Sequence, residues 1–288
     1  QLGGKDRTMF QLKAIQSDKV WGYELWIAST HPNGCQEDFM RATGGYPLLV
    51  KVIQADDTLS VQVHPDDAKA VELEGPGSRG KTECWYVLDA KPGAKLVYGL
   101  NGTYTKEELR AAIAEKRLED CLNNVEVHKG DFIFIPAGTV HAIGGGLRLL
   151  EVQQSCDITY RLYDWGRPRE IHVEKGLQSI KPAAAEAIKP LGAQFDCDYF
   201  TLKHVEVKGG LSWLVPASPA GNATADNSAW QLVYIVATSG MGASIYATSA
   251  DGAKSDMLTL HAEEIYALAP GEKITVEGNA EIVRVIAR

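Results

Sequence analysis

The chain has 288 residues, 45% of them hydrophobic and 23% charged, which is the composition of a folded globular protein and not of a disordered one. Its formal net charge of -8 argues against nucleic acid or an anionic membrane as the main partner, because both require a basic surface. The five cysteines form no CxxC pair, and no apolar run approaches the roughly 20 residues that span a bilayer. We therefore expect reduced thiols in a cytoplasmic protein without an export signal.

Strand-like segments dominate the chain. Turn signals such as Pro-Gly, Lys-Gly-Asp and Glu-Gly-Asn separate them at intervals of roughly eight to twelve residues. This spacing predicts an all-β fold of antiparallel sheets closed into sandwiches or barrels. The predicted strands are, in chain order, YPLLVKVIQA, LSVQVH, CWYVLDA, AKLVYGL, GDFIFIPA, LRLLEVQQS, YFTLKHVEV, WQLVYIVAT, ASIYAT, MLTLHAEEIYALAP and KITVEGNAEIVRVIAR.

One helix is predicted between the strands, in the segment TKEELRAAIAEKRLEDCL at residues 105–122. Thr105 is a suitable N-cap, and Glu108, three residues later, completes a capping box. Leu109, Ile113 and Leu122 give the helix a partly periodic apolar face. We interpret this helix as an insertion between two strands.

The segment IKPAAAEAIKPLGAQFD, residues 180–196, is rich in alanine and proline and indicates a connector between two units. We place the boundary near residue 190. The predicted domains are then residues 1–190, which include the helical insertion, and residues 191–288.

The segment LSVQVHPDD, residues 59–67, places polar side chains at alternate positions of a strand. Ser60, Gln62 and His64 share one face, and the apolar residues between them share the other. Such a face is either a hydrated rim or one half of a binding site.

A second segment, GDFIFIPAGTVHAI, contains the pattern G-x5-P-x-G-x2-H at Gly130, Pro136, Gly138 and His141. This pattern resembles the second motif of cupin barrels. The glycines and the proline shape a strand, a tight turn and another strand, so the histidine is directed into the mouth of the barrel.

Glu83 lies between these segments, at the start of the apolar strand in GKTECWYVLDA. With His64, His141 and the amide of Gln62 it completes a nitrogen and oxygen donor set that suits a divalent ion such as zinc at a catalytic site. The residues are distant in sequence, and only closure of the barrel brings them together.

A third region, LRLLEVQQSCDITYRLYDWGRPRE, places Glu151, Gln153 and Ser155 on one face of a strand. Arg161 follows among tyrosine and tryptophan residues. An arginine in that setting is suited to a bidentate contact with phosphate or to stabilising developing negative charge.

Each candidate also has a plainer interpretation. A lone histidine such as His64 is often a rim residue bonded to a neighbouring aspartate. Glu83 alone is typical of a solvated charge, and Arg161 has Asp157 and Asp164 nearby as salt-bridge partners. The combination of segments favours the metal interpretation over these alternatives.

Six blocks of the chain resemble, in order, those of type I mannose-6-phosphate isomerases, especially the short bacterial form. The resemblance covers most of residues 20–175. The blocks are VWG, PLLVK, LSVQVHPDD, GKTECWYVLDA, IPAGTVHAIGGG and YRLYDWGR.

The resemblance implies a pair of cupin-like (jelly-roll) barrels with a helical insertion in the first. Residues 1–190 would form the catalytic, metal-binding domain, and residues 191–288 a metal-free barrel. One Zn²⁺ per chain would be held by the four ligands Gln62, His64, Glu83 and His141.

The resemblance further implies that the chain interconverts mannose 6-phosphate and fructose 6-phosphate through a cis-enediol. Lys81 and Arg161 correspond to catalytic and substrate-binding positions, and Ser60 to a substrate-binding position. Glu151 corresponds to an acidic residue that handles protons. A sugar phosphate is then the expected partner of a monomer or weak homodimer.

Two classes of alternative remain at the level of sequence. The G-x5-P-x-G-x2-H pattern also occurs in other metal-dependent cupin enzymes, such as dioxygenases or other sugar-phosphate isomerases. A non-catalytic sugar-binding cupin is the second class, because a fold does not determine a function. Such a module has little need for Lys81, Glu151 and Arg161 beside the metal ligands.

Overall fold

The computed structural model describes residues 8–182, 187–217 and 229–288. Residues 183–186 of the predicted connector lie outside the described residues. The described helices are α1 (Glu37–Thr43), α2 (Asp67–Glu74), α3 (Lys106–Ala114) and α4 (Val173–Ser179). None of them is long and apolar enough to cross a membrane.

Strands are the predominant secondary structure of the described residues, which confirms the predicted all-β class. They are β1 (Met9–Leu12), β2 (Ile15–Lys19), β3 (Gly22–Ala28), β4 (Leu48–Ala55), β5 (Val61–Val63), β6 (Glu83–Ala90), β7 (Lys95–Leu100), β8 (Leu122–Glu126), β9 (Asp131–Ile135), β10 (His141–Ile143), β11 (Leu147–Gln154), β12 (Tyr160–Tyr163), β13 (Lys189–Pro190), β14 (Gln194–Asp196), β15 (Phe200–Val207), β16 (Gly210–Leu214), β17 (Gln231–Thr248), β18 (Leu258–Thr259), β19 (Ile265–Leu268) and β20 (Lys273–Ala287).

The strands form three sheets. One has the order β12-β5-β10-β7-β8, and a second has the order β13-β9-β6-β11-β4-β3-β2. The third has the order β1-β19-β17-β20-β15-β14, with β16 paired to β20 and β18 paired to β17. Every pair whose register is described is antiparallel, as in β6 with β11 and in β5 with β10.

The chain divides into two compact units. The central unit comprises Gln16–Leu25 and Val50–Pro190, and the C-terminal unit comprises Gln1–Ile15, Trp26–Leu49 and Leu191–Arg288. The C-terminal unit includes two N-terminal segments, so neither unit is continuous in sequence. The predicted domains, residues 1–190 and 191–288, stay a prediction.

In the central unit, side chains that alternate along each strand pack into two different cores. In β5, Val61 and Val63 belong to a core shared with Leu109 of α3 and Leu177 of α4, so this face of the five-stranded sheet is covered by helices. Apolar residues of the opposite face, such as Leu96, pack with Trp85 and Ile133 of the seven-stranded sheet. Burying an aliphatic side chain in this way contributes about 1.5–3 kcal/mol.

The C-terminal unit is built on β17 and β20, which pair from Gln231 with Ile286 to Thr248 with Lys273. Register shifts between Ile235 and Ala237 and between Ser239 and Ala243 interrupt the pairing. Such bulges bend a long strand pair and increase its twist. The apolar runs predicted as two strands, WQLVYIVAT and ASIYAT, are therefore one long strand.

The helical insertion is shorter than predicted. Thr105 and Glu108 form the expected capping box, in which the Thr105 hydroxyl accepts from the Glu108 N–H at 3.1 Å and the Glu108 carboxylate accepts from the Thr105 N–H at 2.7 Å. The α-helix ends at Ala114 and not near Leu122, because Lys116 turns into the left-handed region at φ 57°. A 3₁₀ turn at Leu118–Cys121 then leads into β8.

A buried ion-pair corner follows β12. The side chain of Asp164 is 1% exposed and accepts hydrogen bonds from Arg169 Nε at 2.7 Å and Arg167 Nη1 at 3.1 Å. Arg167 Nη2 also donates to Asp57 at 2.9 Å, and Trp165 Nε1 donates to the Leu59 carbonyl at 2.8 Å. These bonds tie the end of β12 to the chain that enters β5.

Replacing Thr105 with alanine removes the N-cap of α3. We expect Thr105→Ala to lower the free energy of unfolding by about 1 kcal/mol, because one helix-end N–H loses its acceptor. Urea unfolding followed by tryptophan fluorescence measures the difference. Thr103→Ala, an exposed neighbour outside the cap, is the matched control, and equal effects of the two variants would contradict this account.

Replacing Asp164 with asparagine tests whether the ion pairs of this corner stabilise the fold. Burial alone raises the pKa of the Asp164 carboxyl, but the hydrogen bond and charge of Arg169 outweigh it and hold the pKa below its usual range. The folded-state pKa is thus lower than the unfolded one, so the ion pairs stabilise the fold above about pH 4 and the gain is lost as pH falls through the folded-state pKa.

We expect Asp164→Asn to lower the free energy of unfolding by about 3 kcal/mol at pH 7, and the gap to wild type to narrow below about pH 4. Urea unfolding at a series of pH values measures the gap. The exposed substitution Asp89→Asn is the control. A gap that is constant with pH would show that the charge of Asp164 is not the cause.

Candidate metal centre

Three buried side chains from different strands converge inside the central unit. His64 follows β5, Glu83 begins β6 and His141 begins β10, and one potential ligand atom from each lies within 4.8 Å of the others. No side chain of the three is more than 1% exposed. These three residues are a group of potential metal ligands in the described part of the chain, and they are three of the four predicted ligands. Their role as ligands stays a prediction.

Backbone carbonyls fix the orientation of both imidazoles. His64 Nδ1 lies 2.8 Å from the Ile158 carbonyl, and His141 Nδ1 lies 2.8 Å from the Thr139 carbonyl. A carbonyl only accepts hydrogen bonds, so each Nδ1 carries the proton and each Nε2 presents a lone pair. The Nε2 atoms face Glu83, at 3.6 Å from His64 and 3.2 Å from His141.

Lys81 supplies the positive charge in this enclosed space. Its Nζ lies 3.1 Å from Glu83 Oε2 and 3.3 Å from His64 Nε2. Burial would lower the pKa of Lys81, but the carboxylates of Glu83 and Glu151 outweigh it and raise the pKa. The lysine therefore stays an ammonium ion.

The electrostatics keep Glu83 ionised and His64 neutral. Burial alone would raise the pKa of Glu83, yet the charge of Lys81, followed by that of His64, holds it well below its usual range. Burial, followed by the charge of Lys81, lowers the pKa of His64 well below its ordinary value. A carboxylate and a neutral imidazole are the protonation states that metal binding requires.

The predicted residues Gln62, Ser60 and Arg161 lie along the adjoining edge. In the five-stranded sheet Gln62 pairs with His141 on one side and Arg161 on the other. Gln62 Nε2 lies 3.4 Å from His141 Nε2, and Gln62 Oε1 accepts from Ser60 Oγ at 3.3 Å. Residues paired directly across strands project from the same face, so this row extends from the metal ligands to Arg161.

Arg161 is only partly bonded. Its Nη1 donates to the Glu170 carbonyl at 2.9 Å, and its buried Nε has no acceptor among the described residues. Burial, followed by the charge of Arg169, lowers its pKa. The Asp164 carboxylate, one of the salt-bridge partners considered for Arg161, is bonded to Arg167 and Arg169 instead.

Glu151 is held deeper in the same interior. It pairs across the sheet with Trp85, whose indole N–H donates to Glu151 Oε2 at 2.9 Å. Lys51 Nζ lies 3.7 Å from Glu151 Oε1 and 3.4 Å from a Glu24 oxygen. Burial, followed by the charge of Glu83, raises the pKa of Glu151. The buried carboxyls of Glu83 and Glu151 thus have their pKa values shifted in opposite directions.

The glycine–proline motif forms the turn that precedes His141. Gly138 adopts φ 92°, a conformation that favours glycine, and its N–H donates to the His64 carbonyl at 2.8 Å. A Cβ at this position would come within 2.8 Å of Lys181. The turn therefore connects the two histidine-bearing segments directly.

The donor set fits a divalent cation. Both oxygens of Glu83 are buried and make no hydrogen bond with a described residue, although Lys81 and His141 lie close to them. An ionised, unsatisfied carboxylate beside two imidazole lone pairs is a costly arrangement unless a cation is bound. Nitrogen and carboxylate donors of this kind are typical of zinc sites.

Three residues near the candidate ligands were not predicted from the sequence as site residues. They are Lys51, Trp85 and Gln153, and Gln153 pairs with Glu83 across the sheet. The sequence could have indicated Lys51, because it lies inside the apolar run PLLVKVIQA and a buried lysine requires an acidic partner. Trp85 and Gln153 show no comparable signal.

Parts of the chain are similar in sequence to known proteins. Residues 34–81 match a family model for the catalytic domain of type I phosphomannose isomerase. The chain is 42% identical over 192 residues to the mannose-6-phosphate isomerase of Streptococcus mutans, which covers 56% of this chain and 60% of that protein. It is 40% identical over 205 residues to the mannose-6-phosphate isomerase ManA of Bacillus subtilis, which covers 66% of this chain and 63% of that protein. The alignments thus span less than two thirds of these relatives.

Solved structures share the fold over nearly the whole chain. The mannose 6-phosphate isomerase from Bacillus subtilis has a TM-score of 0.79 at 23% identity, with 97% of this chain and 99% of that one covered. A mannose 6-phosphate isomerase bound with zinc and yttrium has a TM-score of 0.68 at 15% identity, with 98% and 100% covered. Part of the chain is therefore similar in sequence to type I phosphomannose isomerases, and nearly the whole chain is similar to them in fold.

Proposed function

We propose that the chain is a zinc-dependent aldose–ketose isomerase that interconverts mannose 6-phosphate and fructose 6-phosphate. The observation that carries the proposal is the convergence of His64, Glu83 and His141 next to the two cationic groups of Lys81 and Arg161. The proposed substrate is the one in the names of the relatives, which are mannose-6-phosphate isomerases. The cytoplasmic location and the oligomeric state stay predictions.

His64, Glu83 and His141 would hold one Zn²⁺, with Gln62 as the fourth ligand. In the structure the Gln62 amide nitrogen faces His141, so the amide would rotate to offer its oxygen. When bound, zinc supplies Lewis-acid polarisation of the oxygens on the two reacting carbons.

Glu151 is our candidate for the proton-transferring base. The isomerisation moves a proton between neighbouring carbons through a cis-enediol, and a base of raised pKa exchanges that proton more readily near neutral pH. Burial and the charge of Glu83 give Glu151 a raised pKa, and the Trp85 indole holds one of its oxygens at 2.9 Å. Lys81, kept as an ammonium ion, is suited to donate a proton or to offset charge on an oxygen.

Arg161 would bind the phosphate or stabilise enediolate charge, and Ser60 would contribute a hydroxyl to the substrate. The support is chemical: the buried Nε–H of Arg161 has no acceptor among the described residues, and a guanidinium forms strong hydrogen bonds with oxyanions. The ion-pair corner after β12 fixes the backbone that carries it.

The other metal-dependent cupin activities and the sugar-binding module remain the alternatives. A coupled assay for conversion of mannose 6-phosphate, run before and after chelation with zinc add-back, tests the proposal. We expect turnover that is lost on chelation and restored by zinc. Absence of turnover in the zinc-loaded protein would contradict it, and oxygen consumption with iron would support a dioxygenase.

Glu83→Gln should lose zinc and activity together, because the amide removes the one anionic ligand. Glu151→Gln is the matched control, since it lies behind the ligands and should keep zinc while kcat falls by about 10²-fold or more. Metal content by mass spectrometry and the coupled assay measure both. Stoichiometric zinc and full activity in Glu83→Gln would refute the metal-centred account.

Arg161→Gln should retain zinc and lower kcat/KM by about 10²–10³-fold, the usual cost of removing one charge-stabilising donor. Arg110→Gln removes an exposed arginine that pairs with Glu174 outside the site, and it should leave the rate unchanged. Steady-state kinetics with metal analysis compares the two. A zinc-depleted Arg161 variant would mean that the residue supports the metal site instead.

A further inference from the structure

The central unit contains a cavity that the proposed reaction does not use. Its volume is about 620 Å³, within the range of pockets that bind small molecules. The cavity is lined by the β7–α3 connection, the start of α3, the 138–140 turn and the residues that end and follow α4. Its walls thus include the capped helical insertion, which has no role in the proposed reaction.

The cavity and the metal centre lie on opposite faces of the five-stranded sheet. Val140, which lines the cavity, packs in the core beneath the helices, whereas the next residue, His141, points to the opposite face and to Glu83. Neighbouring residues of a strand project to opposite faces. A ligand in the cavity therefore has no direct contact with the metal ligands.

Thr139 provides the most specific observation. Thr139 lines the cavity, is 7% exposed, and has a hydroxyl oxygen with no hydrogen-bond partner in the described part of the chain. Leaving a buried hydroxyl unpaired costs about 1–3 kcal/mol. A ligand atom that bonds to this hydroxyl would remove that cost.

The charged groups at the cavity are mainly positive. Lys106 and Lys181 both line it. Lys181 forms an ion pair with Asp66, while Lys106 is exposed and has no ion pair with another described residue. In a chain of net charge -8, two lysines at one cavity indicate an anionic ligand.

The remaining walls are suited to an apolar or ring-shaped body. Leu109 and Leu177 are buried side chains of α3 and α4 that face the cavity, and the Tyr104 ring lies at its edge. Apolar walls with a few polar groups at one end are the usual composition of a small-molecule site.

We propose that this cavity binds a small organic phosphate ester, with the phosphate near Lys106, Lys181 and Thr139 and the organic body against Leu109 and Leu177. Hydroxyl and ammonium donors together match the several acceptor oxygens of a phosphate monoester. The site is distinct from the candidate metal centre and does not depend on the proposed isomerase activity.

Isothermal titration calorimetry of the full chain with phenyl phosphate tests the proposal, because this probe has the charge and an apolar ring but is not a sugar. Phenol, which lacks the phosphate, should not bind detectably. Benzoate should bind at least about tenfold more weakly, since a carboxylate has fewer acceptor oxygens. Equal binding of benzoate and phenyl phosphate would overturn the assignment to phosphate esters.

Three variants locate the binding. Lys106→Gln should weaken phenyl phosphate binding about tenfold, the usual value of one charge-assisted hydrogen bond. Thr139→Val should also weaken it while leaving the melting temperature equal or higher, because it removes an unpaired buried hydroxyl. Lys129→Gln, an exposed lysine outside the cavity, is the control and should change nothing.

Two kinds of result would overturn the proposal. Absence of any phenyl phosphate binding, or equal binding in wild type, Lys106→Gln and Thr139→Val, would show that the cavity is not the site. Binding that disappears only in Arg161→Gln would place the probe at the candidate metal centre, which also contradicts the proposal.

Discussion

The buried carboxylate of Glu83 is the constraint on which the central unit depends. An unpaired anion inside a protein costs several kcal/mol, so the surrounding structure must supply positive charge or a cation. Lys81 provides one such charge at 3.1 Å, and two imidazoles present their lone pairs to the same space. These surroundings keep Glu83 ionised and His64 neutral, which are the forms that bind a cation.

Strand alternation separates the two kinds of environment that this arrangement needs. On β5 and β10 the inward positions carry the polar ligands, while the intervening valines pack against α3 and α4. One sheet therefore carries the polar ligands on one face and apolar residues, packed against helices, on the other. The cavity described above lies on the face of this sheet that α3 and α4 cover.

The chain around β12 shows how a distant corner determines the geometry of the site. Asp164 anchors two arginines, and the Trp165 indole bonds to the carbonyl of Leu59, the residue before Ser60. Trp165 adopts φ 56°, an uncommon conformation for a bulky residue, and the buried bonds on both sides hold it there. The row from Ser60 to Arg161 is therefore positioned by ion pairs and not by loop packing alone.

The sequence by itself determined the strand-rich class and the capping box of α3, since alternation and capping chemistry are local. Local motifs also predicted His64 and His141 as ligands, whereas Glu83 was predicted only in combination with them. Tertiary structure alone decided what depends on contacts between remote segments. It grouped N-terminal segments with the C-terminal unit, ended α3 at Ala114 and brought Lys51 and Trp85 to Glu151. Only the packed interior, by burying charges beside one another, shifts the pKa values of Glu83 and Glu151 in opposite directions.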